Sequence, residues 1–287
     1  MGRLLGSTDK SQSVLHCRGR VLGLERPVVM GVLNVTPDSF SDGGRFVRLD
    51  DAVARGLQMV EEGAAIIDVG GESTRPGAQP VSLDEELHRV VPVVARLRPR
   101  TRAVLSVDTS KPEVMHAAAA AGADMINDVR ALRQPGALEA AVLSGCSVCL
   151  MHMQGEPRTM QDSPSYEDVV AEVREFLGQR VDACLAAGLP AERLVLDPGI
   201  GFGKTRAQNL ELLRHLGQLS VKDLPILAGL SRKSLVGALT GRPASERVHG
   251  SVALAVIAAL NGARILRVHD VTATADALKV VSALQNS

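Results

Sequence analysis

The chain has 287 residues, 45% of them apolar, and its 32 basic residues balance 32 acidic ones. That length fills one large core and is too short for two well-filled enzymatic domains with a linker. The charge balance excludes a broad basic face for nucleic acid, so a small ligand is the expected partner. Residues 1–26 carry Ser, Gln and Arg without periodicity and read as a loose or hairpin-like N-terminal lead, with one domain over 27–287. A myristoylation signal fails because Gly6 stands where a hydroxyl residue belongs. No cleavable apolar leader opens the chain and no run approaches a bare 20-residue apolar span. A soluble, cytoplasmic protein without a membrane partner is expected, in which the sequon Asn34-Val35-Thr36 goes unglycosylated.

From Val28 onward a short β-branched apolar run alternates with a longer helical pattern. The runs cover residues 28–34, 65–70, 103–108, 124–127, 147–152, 194–197, 225–229 and 265–269. Ser82-x-x-Glu85 predicts a capping box ahead of Leu87, Val90, Val91 and Val94, and Ser165-x-x-Asp168 predicts a second one opening the stretch to Gly188. Gly63, Gly122, Gly145, Gly188 and Gly262 stand shortly before strand runs, where a helix-ending glycine belongs. The alanines at 117–121 are strong helix formers. Strict alternation of strand and helix implies a parallel sheet covered by helices, and eight units in this length predict an α/β fold of the (β/α)8 TIM barrel type. A doubly wound open sheet is the alternative, with more strands than most such domains carry.

In a barrel the C-terminal strand ends surround the mouth. Here they carry Asn34, Asp68, Asp108, Asn127, His152, Asp197, the run Ser231-Arg232-Lys233-Ser234, Arg267 and His269. A core does not tolerate so many unpaired polar groups, so the set reads as a binding site. Ionised Asp accepts only, whereas Asn donates and accepts, so Asp108, Asn127 and Asp197 suit a flat heterocycle rich in N–H groups. Lys233, Arg267 and His269 bring donors to adjacent strands, where a phosphate or diphosphate arm could be held. An aminopurine-like or pterin ring with a phosphate arm satisfies both halves. Two loops rich in Gly and hydroxyls, over 36–44 and 70–77, are candidate lids.

At these positions the chain resembles the dihydropteroate synthase family. The resemblance rests on MGVLNVTPDSFSDGG over 30–44, DVGGESTRPG over 68–77, SVDT over 106–109, ND at 127–128, LDPG over 196–199, SRKS over 231–234 and RVHD over 267–270. Together these motifs span 28 to about 281 in the family's order; only the N-terminal lead is left without a counterpart. The resemblance implies a transferase that joins a dihydropterin-methyl diphosphate to 4-aminobenzoate in folate biosynthesis. It implies that Asp108, Asn127, Asp197 and Lys233 hold the pterin edge, with Met151, Phe202 and Gly229 also in the substrate pocket. Arg267 would pack on the ring and, with His269 and Asn34, meet the diphosphate; Asn34 would also bind Mg²⁺. Phe40 and Asp42 from the first loop, with Thr74, Arg75 and Pro76 from the second, would close over the complex and form the arylamine pocket with Ser234. Phe40, Asp42, Asp108 and Lys233 are the implied catalytic groups, and a homodimer is implied, with the apolar 252–260 helix as its candidate face.

Other motifs carry less. Cys146 and Cys149 are spaced like a redox or zinc pair, but residues three apart on a strand point to opposite faces, so core cysteines are expected, as for Cys17 and Cys184. Residues 199–205 mimic a phosphate loop, but Pro198 stands where that pattern needs Gly; flexibility is the expected meaning of these glycines. His152 is read as a satisfied strand-end histidine rather than a catalyst. The competing functions are a pterin-binding methyltransferase barrel and a non-catalytic pterin binder, against both of which the diphosphate cluster argues.

Overall fold

The structure is a computed structural model and describes residues 14–35, 45–73, 79–155, 160 and 164–285. Strands β1 (Val14–Cys17) and β2 (Arg20–Gly23) form an antiparallel hairpin. Its two turn residues, Arg18 and Gly19, both have positive φ, the turn geometry whose twist matches paired strands. Eight parallel strands follow: β3 (Val28–Asn34), β4 (Ala64–Gly70), β5 (Val104–Asp108), β6 (Met125–Asp128), β7 (Ser147–Met151), β8 (Leu194–Asp197), β9 (Ile226–Gly229) and β10 (Ala263–Val268). They close in the order β10-β3-β4-β5-β6-β7-β8-β9, a (β/α)8 barrel; closure excludes the open-sheet alternative. The predicted runs differ from these strands by at most two residues at an end, where ladder pairing starts or stops.

The intervening helices among the described residues are α1 (Arg45–Glu61), α2 (Leu83–Leu97), α3 (Pro112–Ala121), α4 (Ala137–Ser144), α5 (Val169–Ala186), α6 (Arg206–Arg214), α7 (Ser234–Thr240), α8 (Val248–Leu260) and α9 (Val271–Gln285). The Ser82 hydroxyl accepts from the Glu85 amide at 3.2 Å and caps α2, while the Glu85 carboxylate turns to Arg89 instead of closing the box. The box expected at Ser165 does not form. Asp168 is the N-cap of α5, accepting from Val170 and Ala171 at 3.0 Å, and the Ser165 amide donates to Gln154. A reciprocal capping box stands instead at Thr205 and Gln208, ahead of α6. The five glycines expected to end helices all take positive φ, between +69° and +107°, where a side chain would be strained.

Strand alternation divides the interior into two cores. Val29, Leu33, Ile67, Val69, Leu105, Val107, Val148, Leu150 and Leu266 face outward and join the helices in a continuous apolar shell. Met30, Ile66, Val104, Met125, Cys149, Val195, Leu227 and Ile265 face inward and fill the lower barrel, and Leu15, Cys17 and Leu24 close its floor from the hairpin side. Each such side chain contributes about 1.5–3 kcal/mol on burial, so the hairpin is a stopper rather than a loose appendage. Cys146 lies in the outer shell and Cys149 inside the barrel, on opposite faces as their spacing requires; all four cysteines are buried and free. Beneath the floor, the Asp124 carboxylate accepts from Arg98 at 2.6 Å, from Arg20 of the hairpin at 3.2 Å and from the Leu105 amide at 3.0 Å.

Candidate active site

The inward parity that fills the floor with apolar side chains continues upward. Two residues beyond Ile66 stands Asp68; two beyond Met125, Asn127; two beyond Val195, Asp197; two beyond Ile265, Arg267. A barrel strand two residues longer than its apolar layer therefore delivers a polar group to the mouth, at the end where helix-borne loops leave room for a ligand.

Arg267 organises this layer. Its Nε donates to Asp68 Oδ2 at 2.7 Å and its Nη2 to Asp108 Oδ2 at 2.6 Å, so one guanidinium spans two carboxylates. Asn127 Nδ2 donates to the same Asp68 oxygen at 3.1 Å. Register brings these groups together: Asp108 pairs with Asn127 and with Gly70 of the neighbouring strands, and Arg267 pairs with Gly229. A β-carbon on Gly70 would stand 3.7 Å from both Asn34 Oδ1 and the Asp108 β-carbon, so Asn34 and Asp108 flank one gap at the rim. Burial raises the carboxyl pKa values of Asp108 and Asp197, with Arg267 opposing the rise at Asp108 and Lys233 opposing it at Asp197.

Lys233 precedes α7 and extends along the mouth, donating to the Ile200 carbonyl and lying 4.5 Å from the centre of the Phe202 ring. Burial lowers its pKa to about 8. A side chain at Gly229 would stand 3.6 Å from the Lys233 ammonium and 3.8 Å from the Arg267 β-carbon, so glycine there keeps the space between the two cations open. Phe202 packs with Val129, Met151, Met153 and Met160 in an apolar wall at the mouth. The backbone N–H of His269 donates to the Ser231 hydroxyl at 3.2 Å, and its Nδ1 lies at the same distance from that oxygen, orienting the ring. Ser234 opens α7 and is exposed.

Asn34, Asp108, Asn127, Met151, Asp197, Phe202, Gly229, Lys233, Arg267 and His269 thus lie at one end of the barrel. Phe40 and Asp42, with Thr74, Arg75 and Pro76, lie outside the described residues. His152 stands apart from the site, in line with its reading as a satisfied strand-end histidine, whereas the 199–205 loop adjoins the site but not in the way expected. His152 follows the last residue of β7 with the outward parity, and its ring packs against Phe176 edge-on at 4.9 Å. Burial and Lys204 hold its pKa down at about 3, so it is a neutral packed imidazole. The glycines at 199, 201 and 203 are not there for flexibility. They take positive φ, and β-carbons on Gly199 and Gly203 would strike backbone carbonyl oxygens of His152 and Gln154 at 1.9 and 2.6 Å, so these glycines permit close packing. Asp68 and Ser231 stood in the strand-end set without an individual role, and Lys204 was outside it. Asp68 was visible as a strand-end carboxylate, whereas nothing local marks Ser231 or Lys204 as supports.

The sequence matches the family model described as pterin binding enzyme over residues 30–269. It is 54% identical to the dihydropteroate synthase of Escherichia coli (strain K12) over 269 residues, 94% of this chain and 95% of that protein. Among solved structures it is similar to the Xanthomonas albilineans dihydropteroate synthase with 4-aminobenzoic acid, with TM-score 0.91 and 56% identity over 96% of this chain and 99% of that one. It is also similar to the Yersinia pestis dihydropteroate synthase in a sulfonamide drug complex, with TM-score 0.91 and 54% identity over 96% and 100% of the two chains.

Proposed function

The chain belongs to the pterin binding enzyme family and, within it, to the dihydropteroate synthases; on that premise we propose how its residues divide the work. The reaction condenses (7,8-dihydropterin-6-yl)methyl diphosphate with 4-aminobenzoate, giving 7,8-dihydropteroate and diphosphate, a transferase step of folate biosynthesis. The observation that carries the assignment of roles is the single polar layer in which Arg267 bridges Asp68 and Asp108 beside Asn127.

Asp197, Asp108 and Asn127 take the N–H-bearing edge of the pterin, and Lys233 donates to its acceptors. Met151 and Phe202 supply the apolar wall and Gly229 the clearance. Arg267 lies over the ring, and with His269 and Asn34 it meets the diphosphate, where cationic and donor groups favour the leaving anion. Loss of diphosphate leaves a cationic pterin methylene, which the carboxylate of Asp108, helped by Asp42, stabilises; the arylamine nitrogen then attacks that carbon and loses a proton to solvent. Catalysis is positional and electrostatic, with no covalent protein nucleophile. Phe40, Thr74, Arg75, Pro76 and Ser234 form the arylamine pocket, and sulfonamides, which carry the same aniline ring, are proposed to enter it.

Among the described residues no three His, Cys, Asp or Glu side chains cluster as a metal cage. Mg²⁺ fits nonetheless, because it retains water and substrate phosphate oxygens and needs only one or two protein ligands, here the Asn34 amide oxygen at the rim. When bound it supplies charge neutralisation to the diphosphate. No helix among the described residues is long and apolar enough to cross a membrane, and a cytoplasmic location is proposed. The exposed Ile257 (43%) and Leu260 (51%) on α8 support a homodimer through that helix.

The test is pyrophosphate release with the pterin diphosphate, with and without 4-aminobenzoate. Arylamine-dependent release is expected; none would refute the assignment and leave a methyl-transferring or inert pterin barrel.

A further inference from the structure

The loop between β8 and α6 wraps around a buried lysine. Lys204 is 3% exposed, and its ammonium donates to the carbonyls of Phe202 at 2.9 Å, Gly199 at 3.0 Å and His152 at 3.4 Å, and to Nδ1 of His152 at 3.0 Å. Among the described residues no carboxylate makes ion-pair contact with it, so the charge is solvated by oriented carbonyl dipoles, as a bound cation would be. Burying an ammonium is costly unless every proton is taken up, which makes this arrangement demanding to retain. Burial lowers its pKa to about 7, with Asp197 opposing the drop.

The rest of the loop is equally pinned. Asn209 accepts from the Gly201 amide at 2.7 Å and donates to the carbonyls of Lys204 at 3.1 Å and Thr205 at 2.8 Å, and the Tyr166 hydroxyl donates to the Gly203 carbonyl at 2.9 Å. What this rigid loop presents to the mouth is the Phe202 ring and the Ile200 carbonyl, the two groups that hold Lys233, while the Gly199 amide donates to Asp197 Oδ1 at 2.7 Å. Two of the groups that meet the pterin edge therefore take their positions from a loop moulded on Lys204.

We propose that Lys204 is a positioning residue for the pterin site: its ammonium shapes the 199–204 loop so that Phe202, the Ile200 carbonyl and the Gly199 amide hold Lys233 and Asp197 for the substrate. It touches neither substrate and takes no part in proton transfer. This inference rests on the pterin site proposed above.

The experiment compares the parent protein with Lys204→Met, measuring pterin diphosphate affinity by calorimetry, the arylamine KM at saturating pterin, and the melting temperature. Pterin affinity is expected to fall about tenfold to a hundredfold while the arylamine KM stays within about twofold, a split that a general loss of stability does not produce. Should that variant fail to fold, Lys204→Met combined with His152→Leu is measured instead, since replacing both polar partners with apolar groups relieves the unpaired imidazole. Folded variants with parental pterin affinity, or with equal losses for both substrates, would overturn the inference. A parent that neither binds the pterin diphosphate nor releases pyrophosphate would instead refute the underlying site assignment.

Discussion

Asp68 and Arg267 are joined by a 2.7 Å hydrogen bond between carboxylate and guanidinium, and the carboxylate is fully buried. Asp68 therefore serves as the anchor that aims Arg267 across the mouth toward Asp108. Asp68→Asn removes the charge and keeps the shape. It should cost about 1.5–3 kcal/mol of the charged hydrogen bond, seen as a fall in kcat/KM for the pterin diphosphate of roughly tenfold to a hundredfold. A variant with parental kcat/KM would mean that Arg267 needs no such anchor.

In the proposed site Asp197 offers the pterin an acceptor. Asp197→Asn can turn a donor toward ligand donors, at about 2 to 4 kcal/mol in a buried site. Pterin affinity should collapse while the melting temperature holds. Near-parental binding by calorimetry would remove Asp197 from the pocket.

The pH dependence of pterin binding follows from burial. The ammonium groups of Lys204, lowered to about 7, and of Lys233, lowered to about 8, must both be protonated to hold the site, so affinity should decline in two steps as pH rises through about 7 and about 8. Asp108 and Asp197, both raised by burial, must be ionised to accept, so the acid limb should lie above the usual carboxylate range. Lys233→Arg stays charged throughout and should remove the upper step while leaving the lower one. An upper step that survives in that variant would mean that Lys233 does not set it.

Sulfonamides should inhibit by competition with 4-aminobenzoate, since each presents an aniline ring and places a sulfonyl where the carboxylate lies. Reshaping Pro76 or Phe40 should weaken the drug more than the substrate by about 1 to 3 kcal/mol if, as proposed, these residues line the arylamine pocket and only the drug extends past it. Inhibition constants and arylamine KM values for such variants check this. Inhibition that added 4-aminobenzoate cannot reverse would place the drug elsewhere.

The hairpin's attachment can be tested through stability alone. Asp124→Asn leaves Arg98 without its charged partner beneath the barrel floor, a loss of about 3 kcal/mol for a broken buried pair. Chemical denaturation should show that loss with kcat and both KM values unchanged. Altered kinetics would mean that the floor communicates with the mouth.

Much of this molecule was legible before any coordinates. Alternating strand and helix patterns with glycines at helix ends are local properties, set by side-chain branching and by the backbone freedom of Gly63 or Gly122, so eight units could be counted along the chain. The strand-end position of Asp108, Asn127, Asp197 and Arg267 was visible for the same reason. What sequence could not decide was facing. In a covered barrel both faces of a strand are apolar, so no alternation announces which residues point inward. Closure of the sheet supplied the physical reason that Asn127 faces the mouth while His152, already read as a satisfied histidine, faces a helix. The supports were hidden for a related reason. Asp68 is 199 positions from Arg267 and Ser231 is 38 from His269, distances that no local window spans. Lys204, which composition would leave on a solvated glycine loop, is buried because tertiary packing surrounds its ammonium with backbone carbonyls.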